Sequence, residues 1–228
     1  MQTSNLPSLS KLQNETPKVP CAPLNSEDLA NVLLACGNGP AAPRTRLAIA
    51  LGCTTGFRAS ELLSLSIDDV FRSGKPRAHV AVARRNMKGS RRGRVAVLPS
   101  FVHPYLESWL RVLRRRGRAN NQSPLFQSRK GAGKKSISYV QLYRDVRRAL
   151  DNTSIDPLVP GTHTMRKTFA AEFFAAADRD LWLTQQALGH IDARSTVAYL
   201  QTDDAEVERI TLDAWNPKPS ALLSTKLP

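Results

Sequence analysis

Apolar residues recur at helical spacing along most of the chain, and one middle stretch alternates between apolar and polar residues as strands do. A first helix follows a cap at Asn25 or Ser26, and further helices are predicted over 45–53, 57–63, 100–116, 138–150, 163–177, 181–188, 193–200 and 204–214. Short strands are predicted over 66–70, 78–83 and 94–98, separated by turns at 73–76 and 89–93. The pattern therefore predicts a mainly α fold with a small antiparallel β-sheet (α+β) inserted between helices.

The distribution of polar residues predicts how the chain divides into segments. Residues 1–23 are polar and punctuated by proline, which predicts a flexible N-terminal tail or linker. The periodic segments fill residues 24–214, enough for one domain, and 215–228 is predicted to be a C-terminal tail. Within the domain, the Gly, Asn, Lys and Arg content of 117–136 predicts a mobile basic loop.

Two further patterns bear on where the protein works. No apolar run approaches the length needed to cross a membrane, and no signal-peptide-like stretch begins the chain. Cys21, Cys36 and Cys53 are odd in number and widely spaced, which fits neither a disulfide framework nor a zinc site. We therefore expect reduced thiols in a cytoplasmic protein that has no membrane partner.

Charge adds the first indication of a partner. The chain has 33 Lys and Arg against 19 Asp and Glu, a net charge of +14, and its pI is about 10.3. From residue 72 to residue 148, 21 residues are Lys or Arg and only Glu107 and Asp145 are acidic. Because such a density of like charges repels itself unless a polyanion is bound, nucleic acid is the expected partner, with a purely solvated basic face as the alternative. The sparse aromatic residues favour duplex DNA over single strands.

The candidate chemistry depends on cationic side chains. The sequence has no Gly-rich phosphate loop and no cluster of metal-ligand residues, so phosphoryl transfer by this chain would use neither a metal nor another cofactor. The candidates, in chain order, are Arg58, Glu61, Lys88, His163, Arg166, His190 and Tyr199. Lys75 is the alternative to Lys88 as the candidate lysine in a hairpin, but it precedes a proline turn in the other hairpin. Taken singly, each candidate also suits an ordinary structural role; Tyr199, for example, suits a half-buried core position.

The order of these residues resembles the tyrosine recombinase (phage integrase) family, whose pattern is an Arg, a Lys on a β-hairpin, His-x-x-Arg, a His or Trp, and a Tyr. The local sequences at 55–62 (Thr-Gly-Phe-Arg-Ala-Ser-Glu-Leu) and 163–170 (His-Thr-Met-Arg-Lys-Thr-Phe-Ala) are also similar, and the resemblance covers about 24–204. It implies the tyrosine recombinase catalytic-domain fold. It also implies a site-specific recombinase that cleaves and rejoins duplex DNA through a 3′-phosphotyrosyl intermediate, without metal or ATP.

The resemblance assigns a role to each candidate. Tyr199 is expected to attack the scissile phosphate, while Arg58 and Arg166 hold its non-bridging oxygens and His190 donates a further hydrogen bond. Lys88 is expected to protonate the departing 5′-oxygen, and His163 to assist proton movement near the tyrosine. Glu61 is expected to orient Arg58. The basic residues expected to bind DNA phosphates are Arg84, Arg85, Arg91, Arg92, Arg94, Lys134 and Lys135.

Several alternatives stay open at this point. Residues 1–23 are too few for the N-terminal DNA-clamping domain of many family members, so the chain is a minimal recombinase or a catalytic fragment. The expected assembly is a dimer or tetramer on nucleoid DNA, with accessory DNA-bending proteins as further candidate partners. The apolar residues of 207–215 either dock on a neighbouring protomer or pack on their own domain. A related type IB topoisomerase or telomere resolvase, or a catalytically silent DNA-binding module, are the alternative functions.

Overall fold

The computed structural model describes residues 22–83, 93–155 and 161–189. Its helices are α1 (Ser26–Ala35), α2 (Ala42–Thr55), α3 (Ala59–Leu63), α4 (Ile67–Val70), α5 (His103–Arg115), α6 (Tyr139–Asp151), α7 (Gly161–Ala176) and α8 (Leu181–Leu188). Its strands are β1 (Phe71–Arg72), β2 (Lys75–Pro76), β3 (His79–Val82) and β4 (Arg94–Val97), and a short 3-10 helix, Ser100–Val102, precedes α5. The prediction of a mainly helical α+β fold is confirmed. The predicted helices at 193–200 and 204–214, the C-terminal tail and most of the N-terminal tail lie outside the described residues.

Helix α2 lies in the middle of the fold and packs against α5 and α7. Every residue from Leu47 to Cys53 is buried, and the uninterrupted run of apolar or small residues over these positions accounts for this placement. The helix ends at Gly56, which has a φ of +61°. Because this end of α2 lies beside α7, the turn that follows it enters the interior of the domain.

The predicted strand over 66–70 is wrong, because residues 67–70 form helix α4. The cause is local: the Asp69 carboxylate accepts hydrogen bonds from the backbone N of Ser66 (2.8 Å) and from its hydroxyl (2.7 Å), a capping box that begins a helix. The remaining strands form two separate antiparallel pairs, β1 with β2 and β3 with β4, instead of one three-stranded sheet. In the second pair, Val82 lies opposite Arg94.

The prediction of a mobile loop over 117–136 is wrong for its central part. Leu125 and Phe126 are fully buried there. The indole Nε1 of Trp109 donates to the Leu125 carbonyl (2.7 Å), and the Leu125 amide donates to the carbonyl of Leu65 (2.8 Å). The composition of 117–136 does not predict this anchoring, because only two apolar residues, Leu125 and Phe126, attach the segment to the core and polar residues outnumber them.

Candidate active site

Arg58 and Glu61 meet at the start of α3. Glu61 is fully buried, and its carboxylate accepts hydrogen bonds from the backbone N of Arg58 (2.9 Å) and from Nη1 of the same residue (2.9 Å). The side chain of Arg58 remains 33% exposed. One carboxylate thus fixes both the backbone and the guanidinium of Arg58 while leaving part of that guanidinium accessible, an arrangement that suits the predicted role of Glu61.

Arg166 lies on α7 and is 1% exposed. Its Nη1 donates to the carbonyl of Gly56, and its Nη2 donates to the carbonyl of Leu188 (2.8 Å). The guanidinium therefore joins the C-terminal ends of α2 and α8. The structure brings Arg166 beside the turn that carries Arg58, and beside the helix end that precedes His190 in the sequence.

Arg94, which the sequence analysis groups with the residues expected to bind DNA phosphates, is only 7% exposed. Its Nη1 donates to the carbonyl of Gly56 (3.2 Å) and its Nη2 to the carbonyl of Thr55. Nη1 also lies 3.9 Å from a carboxylate oxygen of Glu61, and the guanidinium carbon lies 4.9 Å from the centre of the Phe57 ring. The guanidinium of Arg94 is therefore directed toward backbone carbonyls of the turn after α2 and toward Glu61.

The alternation of side chains along β4 predicts the burial of Arg94. Side chains two residues apart in a strand share a face, so Arg94 and Ala96 lie on the same side as Leu98 just beyond the strand. Leu98 is buried, whereas Val95 and Val97 are 66% and 62% exposed. Apolar character alone would place the two valines inside. If Leu98 is taken as the core residue instead, the alternation places Arg94 and Ala96 on the inner face, as the structure shows.

Three guanidinium groups therefore gather at the turn after α2: Arg58 and Arg94 face the Glu61 carboxylate, and Arg94 and Arg166 share the Gly56 carbonyl. Burial, and next the charge of Arg166, lower the pKa of Arg94 to about 9, while the charge of Glu61 acts in the opposite direction. Arg94 is still protonated at neutral pH. Arg58, Arg94, Arg166 and Glu61 are called the guanidinium cluster below. The cluster carries an excess of positive charge in a partly water-excluded place, which favours an anion.

Two glycines allow the close approach of backbone segments at this cluster. Gly56 has a φ of +61°, and a β-carbon there would clash with the Phe169 ring of α7. Gly189 has a φ of +64°, and a β-carbon there would lie 3.1 Å from Cδ of Arg94. Both positions require a left-handed backbone that favours glycine. Side chains at these points would push apart the segments that the arginines join.

Three other predicted site residues lie at the surface of the described part of the chain. His163 is exposed and lies one helical turn before Arg166, and Lys134 and Lys135 are exposed between the buried Gln127 and helix α6. Seven predicted site residues lie outside the described residues: Arg84, Arg85, Lys88, Arg91, Arg92, His190 and Tyr199.

Residues 23–206 match the model of the phage integrase family. The chain belongs to this family. The match confirms the resemblance seen in the sequence and covers the whole guanidinium cluster.

Similar members of the phage integrase family are named tyrosine recombinases. XerS of Streptococcus uberis is 28% identical over 161 residues, which cover 66% of this chain and 40% of the relative. XerH of Helicobacter pylori is 26% identical over 166 residues, covering 72% of this chain and 43% of the relative. XerC of Caldanaerobacter subterraneus is 24% identical over 184 residues, covering 80% and 47%. The chain spans less than half the length of these curated relatives.

Solved structures of family members share the fold. The XerH site-specific recombinase bound to palindromic difH substrate, in a post-cleavage complex, superposes with a TM-score of 0.67 at 24% identity and covers 86% of this chain and 53% of that chain. The XerA recombinase gives a TM-score of 0.66 at 21% identity, covering 87% and 66%. The expected tyrosine recombinase catalytic-domain fold is therefore confirmed.

The described ranges offer few other candidates for chemistry. Within them, no three His, Cys, Asp or Glu side chains gather closely enough to hold a metal ion, and no helix is both long and apolar enough to span a bilayer. Cys36 and Cys53 are free thiols there, and burial raises their pKa to about 11 and about 12. Both thiols are therefore poor nucleophiles at neutral pH.

Proposed function

We propose that this chain is the catalytic region of a site-specific recombinase that cleaves and rejoins duplex DNA through a 3′-phosphotyrosyl link to Tyr199. The observation that carries the proposal is the guanidinium cluster at the turn after α2, in a chain of the phage integrase family. A phosphodiester approaching this cluster carries one negative charge, which becomes concentrated on the non-bridging oxygens as the nucleophile attacks. Fixed guanidinium donors stabilise that charge.

The proposed chemistry divides the work between groups that bind the phosphate and groups that move protons. Arg58, whose guanidinium is held by Glu61 and still partly exposed, donates to the non-bridging oxygens together with Arg166 and His190. The Tyr199 oxygen forms a bond to phosphorus as the bond from phosphorus to the 5′-oxygen breaks. The phenolic proton passes to water with the assistance of His163, and Lys88 protonates the 5′-oxygen. The phosphotyrosyl bond retains the energy needed for rejoining, so the step needs neither ATP nor a metal.

The proposed substrate is duplex DNA, and the proposed assembly is a dimer or tetramer on it. The charge of +14 supports a polyanionic partner. Family structures support duplex DNA: XerH is bound to difH substrate, the Tn1549 transposon integrase to transposon right end DNA, and a lambda integrase dimer to a COC′ core site. A DNA substrate places the proposed protein in the cytoplasm, on the nucleoid.

Covalent trapping tests the proposed activity. The substrate is a duplex library from sequence flanking the gene, nicked so that the short 5′-hydroxyl strand diffuses away after cleavage and rejoining cannot occur. We expect a protein–DNA adduct that survives boiling in detergent. Protease digestion and mass spectrometry should then place the nucleotide on the peptide that contains Tyr199. Failure of the wild-type chain to form any adduct across the library would overturn the proposal.

Salt dependence tests the duplex as partner. Contacts with about six phosphates predict that log affinity falls with log salt at a slope of about −5, so affinity should drop about 10³-fold between 50 and 200 mM salt. Replacing the exposed Lys134 and Lys135 together by Gln should make the slope less negative by about 2 if each contacts a phosphate. Arg72→Gln is the control, because Arg72 is already paired with Asp68. A flat salt response of the wild-type chain would contradict the duplex-binding proposal.

A further inference from the structure

Arg94 contacts more segments of the candidate active site than its place at the start of a short strand suggests. Its guanidinium reaches the carbonyls of Thr55 and Gly56 at the end of α2. It also lies 3.9 Å from Glu61 in α3, and its guanidinium carbon is 5.9 Å from the centre of the Phe169 ring in α7. Its Cδ lies against Gly189 at the end of α8. One side chain thus reaches four helix segments, each of which neighbours Arg58, Arg166 or His190 in the sequence.

Arg94 and the predicted catalytic residue Arg166 donate to the same backbone carbonyl, that of Gly56. It accepts one hydrogen bond from Arg94 Nη1 (3.2 Å) and another from Arg166 Nη1. A carbonyl oxygen has two lone pairs, so the two guanidinium groups satisfy it together. Their spacing is therefore set by a single backbone atom, two residues before Arg58.

The position is electrostatically costly for Arg94. Burial and the neighbouring Arg166 both disfavour its charge, and both lower its pKa. Glu61 alone among its named charged neighbours acts in its favour, and that carboxylate is already hydrogen-bonded twice by Arg58. An apolar side chain of similar length would avoid the cost of burying this charge. Folding stability alone therefore gives a weak reason for an arginine here.

We propose that Arg94 is a positioning residue of the active site: by holding the carbonyls of Thr55 and Gly56 and facing Glu61, it fixes Arg58 and Arg166 at the separation that one phosphate requires. Arg94 itself need not touch DNA. Without it, the Thr55 carbonyl loses its guanidinium donor and the Gly56 carbonyl keeps only Arg166. The turn that carries Arg58 is then free to shift relative to α7. A displacement of about 1 Å is enough to slow a chemical step about 100-fold.

This inference rests on the proposed function, strand cleavage. Single-turnover cleavage of the nicked duplex distinguishes a failure of the inference from a failure of the proposed function. The reaction runs to completion on that substrate, so its amplitude reports the folded, active fraction and its rate constant reports the geometry of the site. For Arg94→Met we expect a rate constant about 10- to 100-fold below wild type. The amplitude and the affinity for DNA should remain close to wild type, and the melting temperature should fall no further than it does in Arg44→Met.

Arg44→Met is the matched control. Arg44 is as buried as Arg94, but it pairs with Asp145 (2.7 Å) and donates to the Gln127 carbonyl (3.2 Å), outside the guanidinium cluster. Its loss leaves a buried carboxylate unpaired, so the melting temperature and the amplitude should fall while the rate constant stays within about twofold of wild type. This is the pattern that a purely structural role of Arg94 would also give.

A conservative variant keeps the test decisive if Arg94→Met fails to fold. In Arg94→Lys, the ammonium retains the charge but lacks the planar fork that places donors on separate nitrogens toward the carbonyls of Thr55 and Gly56, so we expect a rate constant about 10-fold below wild type. Rate constants of the folded Arg94 variants within twofold of wild type would overturn the inference while leaving the proposed function intact. If the wild-type and Arg44→Met chains also fail to cleave, the proposed function itself is wrong.

Discussion

A chain in which Tyr199 is replaced by Phe should bind duplex DNA as tightly as wild type and form no covalent adduct. The substitution removes a single oxygen, which is the atom that would join phosphorus, and it keeps the aromatic ring. A hydroxyl nucleophile has no substitute on phenylalanine, so the amount of adduct should fall at least 10³-fold, to background. Nicked duplex, denaturing gels and a parallel gel-shift titration measure cleavage and binding in the same preparation.

The other three tyrosines of the chain supply the controls. Tyr139 is 50% exposed, and its hydroxyl lies 3.4 Å from the hydroxyl of Thr162, near the start of α7. Tyr105 and Tyr143 are partly buried. Replacing any of these three by Phe should leave the adduct yield within about twofold of wild type. An adduct that persists in Tyr199→Phe and disappears in one of the other variants would transfer the nucleophile to that residue.

The helices were the most predictable part of this fold, because their signals are local. The helix predicted over 181–188 appears with the same bounds, since Asp180 caps it by accepting from the Leu183 amide (2.9 Å) and Gly189 ends it in the left-handed region. The strand predicted over 66–70 failed for an equally local reason. Alternation in five residues is a weak signal, and the capping box of Ser66 and Asp69 outweighs it.

The residues of the candidate site were predictable, but their connections were not. Arg58, Glu61 and Arg166 stand out in the sequence because of their order and spacing. The hydrogen bonds between Arg58 and Glu61 are local. Those that bring Arg166 and Arg94 to the same turn run to a backbone carbonyl far along the chain: Arg166 is 110 residues from Gly56, and Arg94 is 38 residues from it. A carbonyl acceptor leaves no trace in residue identity. Arg94 was therefore grouped with surface cations, although its strand face already pointed to burial beside Leu98.

These connections change what a substitution at Arg166 would report. A guanidinium that only bound phosphate could be removed without disturbing the fold. Arg166 instead also supports the ends of α2 and α8, through Gly56 and Leu188. Arg166→Ala would leave both buried carbonyls without this donor, and the resulting loss of stability would be mixed with the loss of catalysis. The informative substitution is therefore the one that keeps the charge.

In Arg166→Lys, strand cleavage should fall about 10²- to 10³-fold while the fold and DNA affinity are kept. In arginine, two separate nitrogens donate to the carbonyls of Gly56 and Leu188. The ammonium of lysine carries all its donors on one nitrogen, so it cannot keep both of these hydrogen bonds and also present a planar pair of donors to a phosphate. Loss of one transition-state donor of this kind costs about that much in rate. The rate constant of adduct formation at saturating DNA gives the effect, and thermal melting gives the stability of the variant.

Arg44→Lys separates the loss of a phosphate ligand from the general effect of exchanging a buried guanidinium for an ammonium. That residue bridges a side chain and a backbone carbonyl as Arg166 bridges two carbonyls, but it does so at Asp145 and Gln127. Its rate constant should stay within about twofold of wild type even if the melting temperature falls. If Arg166→Lys slows cleavage no more than Arg44→Lys does, Arg166 holds the helix ends together without stabilising the transition state. Arg58, whose guanidinium is one-third exposed beside Glu61, would then be the main phosphate ligand of the guanidinium cluster.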